Sequence, residues 1–404
     1  MLSMEEQFET AYKDTAIPGA ILLASNRSGS FHYARVFGVR SLDTHERLEM
    51  DSIMRIASCT KLMTSIAAMQ CVERGLVTLD TDVAEILPEL AAQGILTGFD
   101  ETSGEPIIKQ RQNTITLRHL LTHSAGLCYL MMSERVQRYR KHTKNSKIAT
   151  GATVEEACTH PLIYEPGTSW LYSTSLDWAG KLVERITGQT LEEYMKANIW
   201  QPLGIKDITF WPKQRPDINR RMASMTIRDE ESGKVIHDSL ESSKLMPGGK
   251  DCFGGHGASA SMPDYFKILQ SLLVDDEKLL KRSTTAQMFQ PQLTKESQAA
   301  QKRLMTNPAN TMLFVGDFPN HVPLDWGIGG ILTTKADEGW RGQNTLIWSG
   351  LPNLFWFIDR QVGLCGLYGG QVRPPGDPKV GKMITLFERT MYERFAAHKM
   401  NAKI

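Results

Sequence analysis

The chain has 404 residues, enough for one large core or two subdomains sharing an interface, and its 41% hydrophobic and 23% charged residues are ordinary for a folded globular protein. A formal charge of +1 removes any global case for nucleic acid or an anionic membrane as partner. No apolar run is long enough to span a bilayer, and the acidic, amphipathic start lacks the basic and apolar regions of an export signal, so the expected compartment is the cytoplasm. The six cysteines (Cys59, Cys71, Cys128, Cys158, Cys252, Cys365) are scattered without a CxxC pair and are expected as reduced, mostly buried thiols. The ten histidines contain no HExxH, and neither a metal nor another cofactor is expected.

Residues 5–14 read as a helix that Pro18-Gly19 ends. Gly19 to Asn26 and Phe31 to Phe37 are strand-like runs about an Arg27-Ser-Gly-Ser30 turn, which predicts a hairpin. A polar loop through Asp51 leads to Arg55-Ile-Ala-Ser-Cys-Thr-Lys61, the opening of an apolar-periodic helix that closes at Gly75. A short helix ending near Pro88 to Leu90 follows, then an exposed loop over 98–113. Thr116 is the expected N-cap of a helix from Leu117 to His123. Residues 128–160 read as partly helical and carry a basic cluster of Arg135, Arg138, Arg140, Lys141, Lys144 and Lys147. Pro166-Gly167 breaks the chain before Trp170 to Ser175. Amphipathic helices are expected from Leu176 to Ile186 and from Leu191 to Ile199, and Pro202-Leu-Gly204 ends the second. Residues 211–251 are polar with few periodic features, and with 290–325 they are expected to line or cover a pocket. The Gly254 to Gly257 turn precedes a helix through about Leu273. Strands cluster after Asp325, including Leu346 to Trp348, Asn353 to Ile358 and Gly363 to Tyr368, before a last helix from about Pro378 to Ala397.

Strands at both ends and helices between them predict an α/β (α+β) architecture in one domain over 1–404. Its α/β lobe is expected at about 1–57 and 325–404 and its helical lobe at about 58–324, with the substrate cleft between them.

On a helix, Ser58 and Lys61 stand at i and i+3 and leave one face as neighbours. A serine hydroxyl is a poor nucleophile until a base takes its proton, and a desolvated lysine near a helix N-terminus can do so. Only Ser58, among all the serines, has a lysine three residues on. Roughly one or two such pairs are expected by chance in a chain of this length, and a helix start with a solvated lysine is the plain alternative. The apolar company of Ile56-Ala57 and Leu62-Met63 argues that Lys61 enters the interior, where a lysine needs a reason. Cys59 lies about 100° around the helix from Ser58 and is read as a packing residue. Tyr172 follows the Pro-Gly break and can project its phenol into a cleft, although a packed aromatic has the same sequence. Trp348-Ser-Gly350 can end a strand beside the site and offer a backbone N–H to an oxyanion, or is simply a strand end.

Together, Ser58-x-x-Lys61, Tyr172-Ser-Thr174 and Trp348-Ser-Gly350 resemble the three motifs of the serine β-lactamase and penicillin-binding-protein superfamily. The class C β-lactamase-related branch fits best, and within it the fungal acyltransferases of the lovastatin side-chain (monacolin J) type. Ile115 to His123, Glu165-Pro-Gly167, Leu176 to Arg185, Pro202-Leu-Gly204, Cys252 to Gly255 and Gly327 to Gly330 carry the likeness over about residues 15–390. It implies a β-lactamase-like fold, an antiparallel sheet flanked by N- and C-terminal helices with a mostly helical second lobe.

The resemblance also implies roles. Ser58 would be the acylated nucleophile, Lys61 its general base and Tyr172 a proton relay. The N–H groups of Ser58 and Leu351 would form the oxyanion hole. Arg55, Trp348 and Gly350 would bind substrate, with Arg55 either holding a carboxylate or bracing the helix. The implied reaction is acyl transfer in fungal-type secondary (polyketide) metabolism, from a thioester through acyl-Ser58 to an alcohol. The donor would be CoA-like or an acyl-carrier-protein domain of a polyketide synthase, and the acceptor a hydroxylated small molecule. Trp348 stands where β-lactamases carry the lysine of Lys-Thr-Gly, and Thr174 where they carry asparagine. Both departures argue against β-lactam hydrolysis and for a bulky apolar substrate, and they leave a carboxylesterase open. The 135–147 cluster is either a solvated helix face or a dock for an acidic carrier domain.

Overall fold

A seven-stranded antiparallel sheet joins the two ends of the chain in the computed structural model, which describes residues 2–145, 152–238, 249–307, 310 and 314–402. Its strands are β1 (Gly19–Asn26), β2 (His32–Gly38), β3 (Leu324–Trp326), β4 (Ile331–Thr333), β5 (Thr345–Gly350), β6 (Leu354–Asp359) and β7 (Leu364–Gly369), in the order β3-β4-β5-β6-β7-β1-β2. Every residue of β1 is buried, because the sheet is covered on both faces. Alternate side chains go to different layers, as the two-residue period of a strand requires. Ala20, Leu22 and Ala24 pack with the helices Met4–Lys13 and Pro378–Asn401. Ile21 and Leu23 face the other core, which includes the helix Met262–Val274.

The helix Thr60–Glu73 runs through the middle of that second core. All its residues from Thr60 to Cys71 are buried, so the apolar-periodic run is enclosed all round. It packs against the helix Ser175–Thr187. No helix among the described residues is long and apolar enough to cross a membrane.

Several local expectations are corrected. Residues 98–113 are not simply a loop: Ile95–Phe99 and Pro106–Lys109 form a hairpin. Asp100 folds its turn by accepting from the Thr102 and Ser103 amides, a polar signature that hides two short strands. Pro88 starts a short helix, Pro88–Ala91, rather than ending one, since proline lacks only an amide that the first helical turn leaves unpaired. The helix after Thr190 changes to a π turn over Lys196–Trp200. Thr226–Arg228 and Val235–His237 pair within the polar 211–251 stretch, of which 239–248 lie outside the described residues. Arg55 precedes the Ser58 helix in a short strand, Ile53–Arg55, that pairs with Ser259–Ser261. The Thr116 cap holds, with its side chain accepting from the His119 amide at 3.2 Å.

A buried ion pair ties the last helix to the sheet. Arg341 donates to both carboxylate oxygens of Glu388 at 2.7 and 2.6 Å, and neither residue is more than 2% exposed. Removing one partner leaves the other charge dry and alone. Arg341→Ala should therefore cost about 3–5 kcal/mol of stability, read from urea unfolding midpoints.

Candidate active site

Ser58 sits where a strand becomes a helix. The strand is pinned by the Ile56 amide to Ala258 C=O at 3.1 Å, and by Gln371, whose side chain bonds both the Arg55 amide and its carbonyl. The chain then turns through Ala57 at φ +43°, a left-handed conformation costing a non-glycine residue about 1–2 kcal/mol. Ala57–Cys59 forms one 3₁₀ turn before the helix Thr60–Glu73 begins. That turn leaves Ser58 half-buried at the surface of the core, while Cys59 points inward with no exposure. Burial pushes the Cys59 thiol pKa up, which makes it a packing residue. All six cysteines are free and buried.

Lys61 is 1% exposed. Its Nζ lies 3.1 Å from Ser58 Oγ, 3.0 Å from Tyr129 Oη and 2.6 Å from the carbonyl of Gly255. The same amine stands 4.6 Å from the centre of the Tyr172 ring. Burial lowers its pKa from the ordinary 10.5 to about 7, against an opposing pull from the Asp177 carboxylate. At neutral pH a large share of Lys61 is therefore the free amine.

Tyr172 lies just before the helix Ser175–Thr187, with its ring 4.6 Å from that of His123 and 5.0 Å from that of Trp348. Its hydroxyl faces Ser58 and the Trp348 indole, has no hydrogen-bond partner, and is held protonated by burial. His123 is fully buried, which drives its pKa well down, and its Nδ1 accepts from the Ser173 amide at 3.2 Å. A neutral imidazole thus props the Tyr172 loop. Trp348 on β5 is 3% exposed and packs on Trp326 at 4.7 Å. Two residues on, Gly350 lies so close to the Ser58 turn that a Cβ there would stand 2.5 Å from Ile56 O. Only glycine allows that approach.

The structure therefore brings Ser58, Lys61, Tyr172 and Trp348 together, with Gly350 against the turn and Arg55 at its entrance. It adds three residues that the sequence reading missed. Tyr129 touches Lys61, and nothing in its spacing announces it. Asp177 is an acid between apolar residues of a buried helix, a signal that was present. His256 reaches within 3.5 Å of Asp177. Phe314 packs against Trp170 and Trp348, and it also lines a cavity of about 680 Å³ built from Gln301, Met305, Phe318 and neighbours within 295–335. Ser58 and Lys61 do not line that cavity.

Half of the basic cluster serves the fold. Arg135 donates to the carbonyls of Leu96 and Thr97, Arg138 lies 4.0 Å over the Phe99 ring, and Arg140 is buried against Ala157 O. Lys141 and Lys144 are exposed, and Lys147 lies outside the described residues.

A buried lysine on a half-buried serine, opposed by a tyrosine and a strand ending in Trp-Ser-Gly, is the arrangement that the fold frames. The chain belongs to the beta-lactamase family, whose model matches residues 4–375. It is an acyltransferase of the serine β-lactamase-like type. Monacolin J acid methylbutanoyltransferase of Aspergillus terreus is 38% identical over 399 residues, covering 97% of this chain and 95% of that protein. Lovastatin esterase of Penicillium rubens is also 38% identical, covering 98% and 99%. A solved mutant of simvastatin synthase (LovD) from Aspergillus terreus superimposes with a TM-score of 0.89 at 38% identity, covering 98% of this chain and 95% of that one.

The depressed pKa of Lys61 links stability to pH. Between about pH 7 and 10.5 the unfolded chain holds a proton on Lys61 that the folded chain has released, so stability rises with pH across that window. Lys61→Met should flatten this rise. The variant should gain most over the parent at pH 6 and least at pH 10, measured as unfolding midpoints.

Proposed function

We propose that the chain moves an acyl group from a thioester, through an acyl-Ser58 intermediate, to the hydroxyl of a small-molecule acceptor of fungal-type secondary metabolism. The observation that carries this reading is the 3.1 Å contact between Ser58 Oγ and a lysine amine buried to 1% exposure. Neutral Lys61 takes the Ser58 proton as Oγ attacks the thioester carbon. Negative charge that develops on the carbonyl oxygen meets the N–H groups of Ser58 and Leu351. The C–S bond then breaks, the proton passes to the departing sulfur, and Ser58 carries the acyl group as an ester. An alcohol enters, gives its proton to Lys61 by way of Tyr172 and takes the acyl group, and Lys61 passes that proton to the departing Ser58 Oγ, which restores the free serine and the neutral amine.

Trp348, Trp326 and Trp170 make an apolar wall beside Tyr172, which suits a hydroxylated polyketide-like acceptor better than a water-soluble sugar or peptide. Trp348 and Gly350 would border that acceptor, and Arg55 at the strand end would meet a carboxylate on it. The relative named for monacolin J acid supports an acceptor of this class. The donor would be a CoA-like thioester or an acyl-carrier-protein domain, with Lys141 and Lys144 as exposed cations available to an acidic carrier.

Hydrolysis is the second reading, favoured by the equally similar lovastatin esterase. Water in place of the alcohol would release free acid from the same acyl-Ser58. Incubation with a short acyl thioester and a graded series of apolar alcohols separates the two. Ester product rising with alcohol at the expense of free acid is expected, and free acid alone at every alcohol concentration overturns the transferase reading.

Tyr172→Phe should keep the fold and reduce turnover by about 10²–10⁴-fold, the usual worth of a positioned proton carrier, measured by product formation at saturating donor. Turnover equal to the parent's would remove Tyr172 from the mechanism.

A further inference from the structure

Behind Lys61, away from Ser58, lies a carboxylate that none of these steps uses. Asp177 is the third residue of the helix Ser175–Thr187 and has no exposure. Its Oδ1 accepts from the Gly255 amide at 2.8 Å, while the carbonyl of the same Gly255 accepts from Lys61 Nζ at 2.6 Å. Thr64, one turn along the Lys61 helix, donates to Gly254 O at 2.7 Å and pins this turn in place. A Cβ on Gly255 would stand 2.6 Å from Asp177 Oδ2, so the acid is what forbids a side chain there. Oδ2 itself is buried without a hydrogen-bond partner.

A carboxylate so placed needs compensation. The first turn of its own helix supplies part, since unpaired amides favour negative charge there. The titratable groups around Asp177 and Lys61 come from several elements: Cys59, Tyr129, Cys158, Tyr172 and His123, all neutral by burial, and His256 on the Gly254–Gly257 turn. Only Lys61 and His256 among them can carry a positive charge beside Asp177. His256 Nδ1 stands 3.5 Å from Oδ1 and makes no hydrogen bond.

We propose that Asp177 is the positioning residue of this site: through Gly255 it fixes the Lys61 amine against Ser58, and its buried charge sets how firmly that amine holds a proton. The inference rests on Lys61 being the base. As Ser58 attacks, its proton moves to Lys61 and an ammonium forms in a dry pocket. Asp177 stabilises that ammonium where water cannot. The same attraction opposes the burial that drives the amine toward its neutral form, so the carboxylate holds the base in a range where it can both take and return a proton.

Asp177→Asn tests this directly, because an amide oxygen still accepts from the Gly255 amide while the charge is gone. The readout is single-turnover acylation of Ser58 by a small activated ester between pH 5 and 10, followed by mass spectrometry. The acid limb should move to lower pH by about 1–2 units, the usual influence of one nearby opposite charge, and the plateau rate should fall. A folded Asp177→Asn whose acid limb stays in place overturns the proposal. So does a limb that moves with His256→Gln and not with Asp177→Asn, which assigns the pH dependence to the imidazole. If Asp177→Asn does not fold, Gly255→Ala carries the test: displacement of the carboxylate should move the limb the same way, and an unmoved limb overturns the proposal. Acylation that survives Lys61→Ala would instead overturn the reading of Lys61 as base, whatever Asp177 does.

Discussion

A lysine amine held in a dry interior is the constraint around which the rest of this structure is built. Taking an ammonium out of water costs several kcal/mol even after relaxation, so the fold keeps Lys61 only by supplying three polar contacts and letting much of its charge go. The helix that carries it is buried on every side from Thr60 to Cys71, a position reserved in most proteins for uniformly apolar sequence. Packing against the helix Ser175–Thr187 encloses it, and the Gly254–Gly257 turn closes the remaining side. Of the groups that touch the amine, Ser58 and Tyr129 are half-buried rather than enclosed.

The opposing wall is shaped by aromatic rings. Tyr172 packs between His123 and Trp348, and Trp326 stands behind Trp348. Buried polar atoms with no protein partner sit on this wall, among them Tyr172 Oη and Trp348 Nε1, and each is costly to leave unsatisfied. A bound acyl group and acceptor would relieve them while displacing water. On the proposed acyl-Ser58 route, that same displacement would decide between transfer and hydrolysis, since both would begin from one acyl-enzyme and differ in which hydroxyl reaches it. Relatives of both kinds stand at 38% identity, in keeping with a balance governed by the lining of a pocket rather than by the nucleophile.

Local sequence carried much of the fold. The Gly19–Asn26 and His32–Gly38 hairpin, the Thr116 cap and the late strand cluster all follow from alternation, capping chemistry and turn residues that act over a few positions. The hairpin at 95–109 was obscured because its turn is rich in the polar residues of an ordinary loop, and its exposed Ile107 and Ile108 give no buried face to detect. The start of the Ser58 helix was placed too early for a related reason. Arg55 becomes a strand residue only by pairing with Ser259, some two hundred residues away, and no local propensity reports that partner.

At the site, Ser58 and Lys61 were legible because a helix places i and i+3 side by side whatever surrounds it, and because the apolar residues beside Lys61 signalled burial. Tyr172 and Trp348-Ser-Gly350 could be picked out as a set, though each was ambiguous alone. What only the tertiary structure decided is the environment of the lysine: Tyr129, the Gly255 carbonyl and Asp177 come from distant segments and gather around Lys61 only in the folded chain. The pKa of an amine depends on the dielectric and the charges around it, and those are properties of packing that spacing along a sequence does not contain.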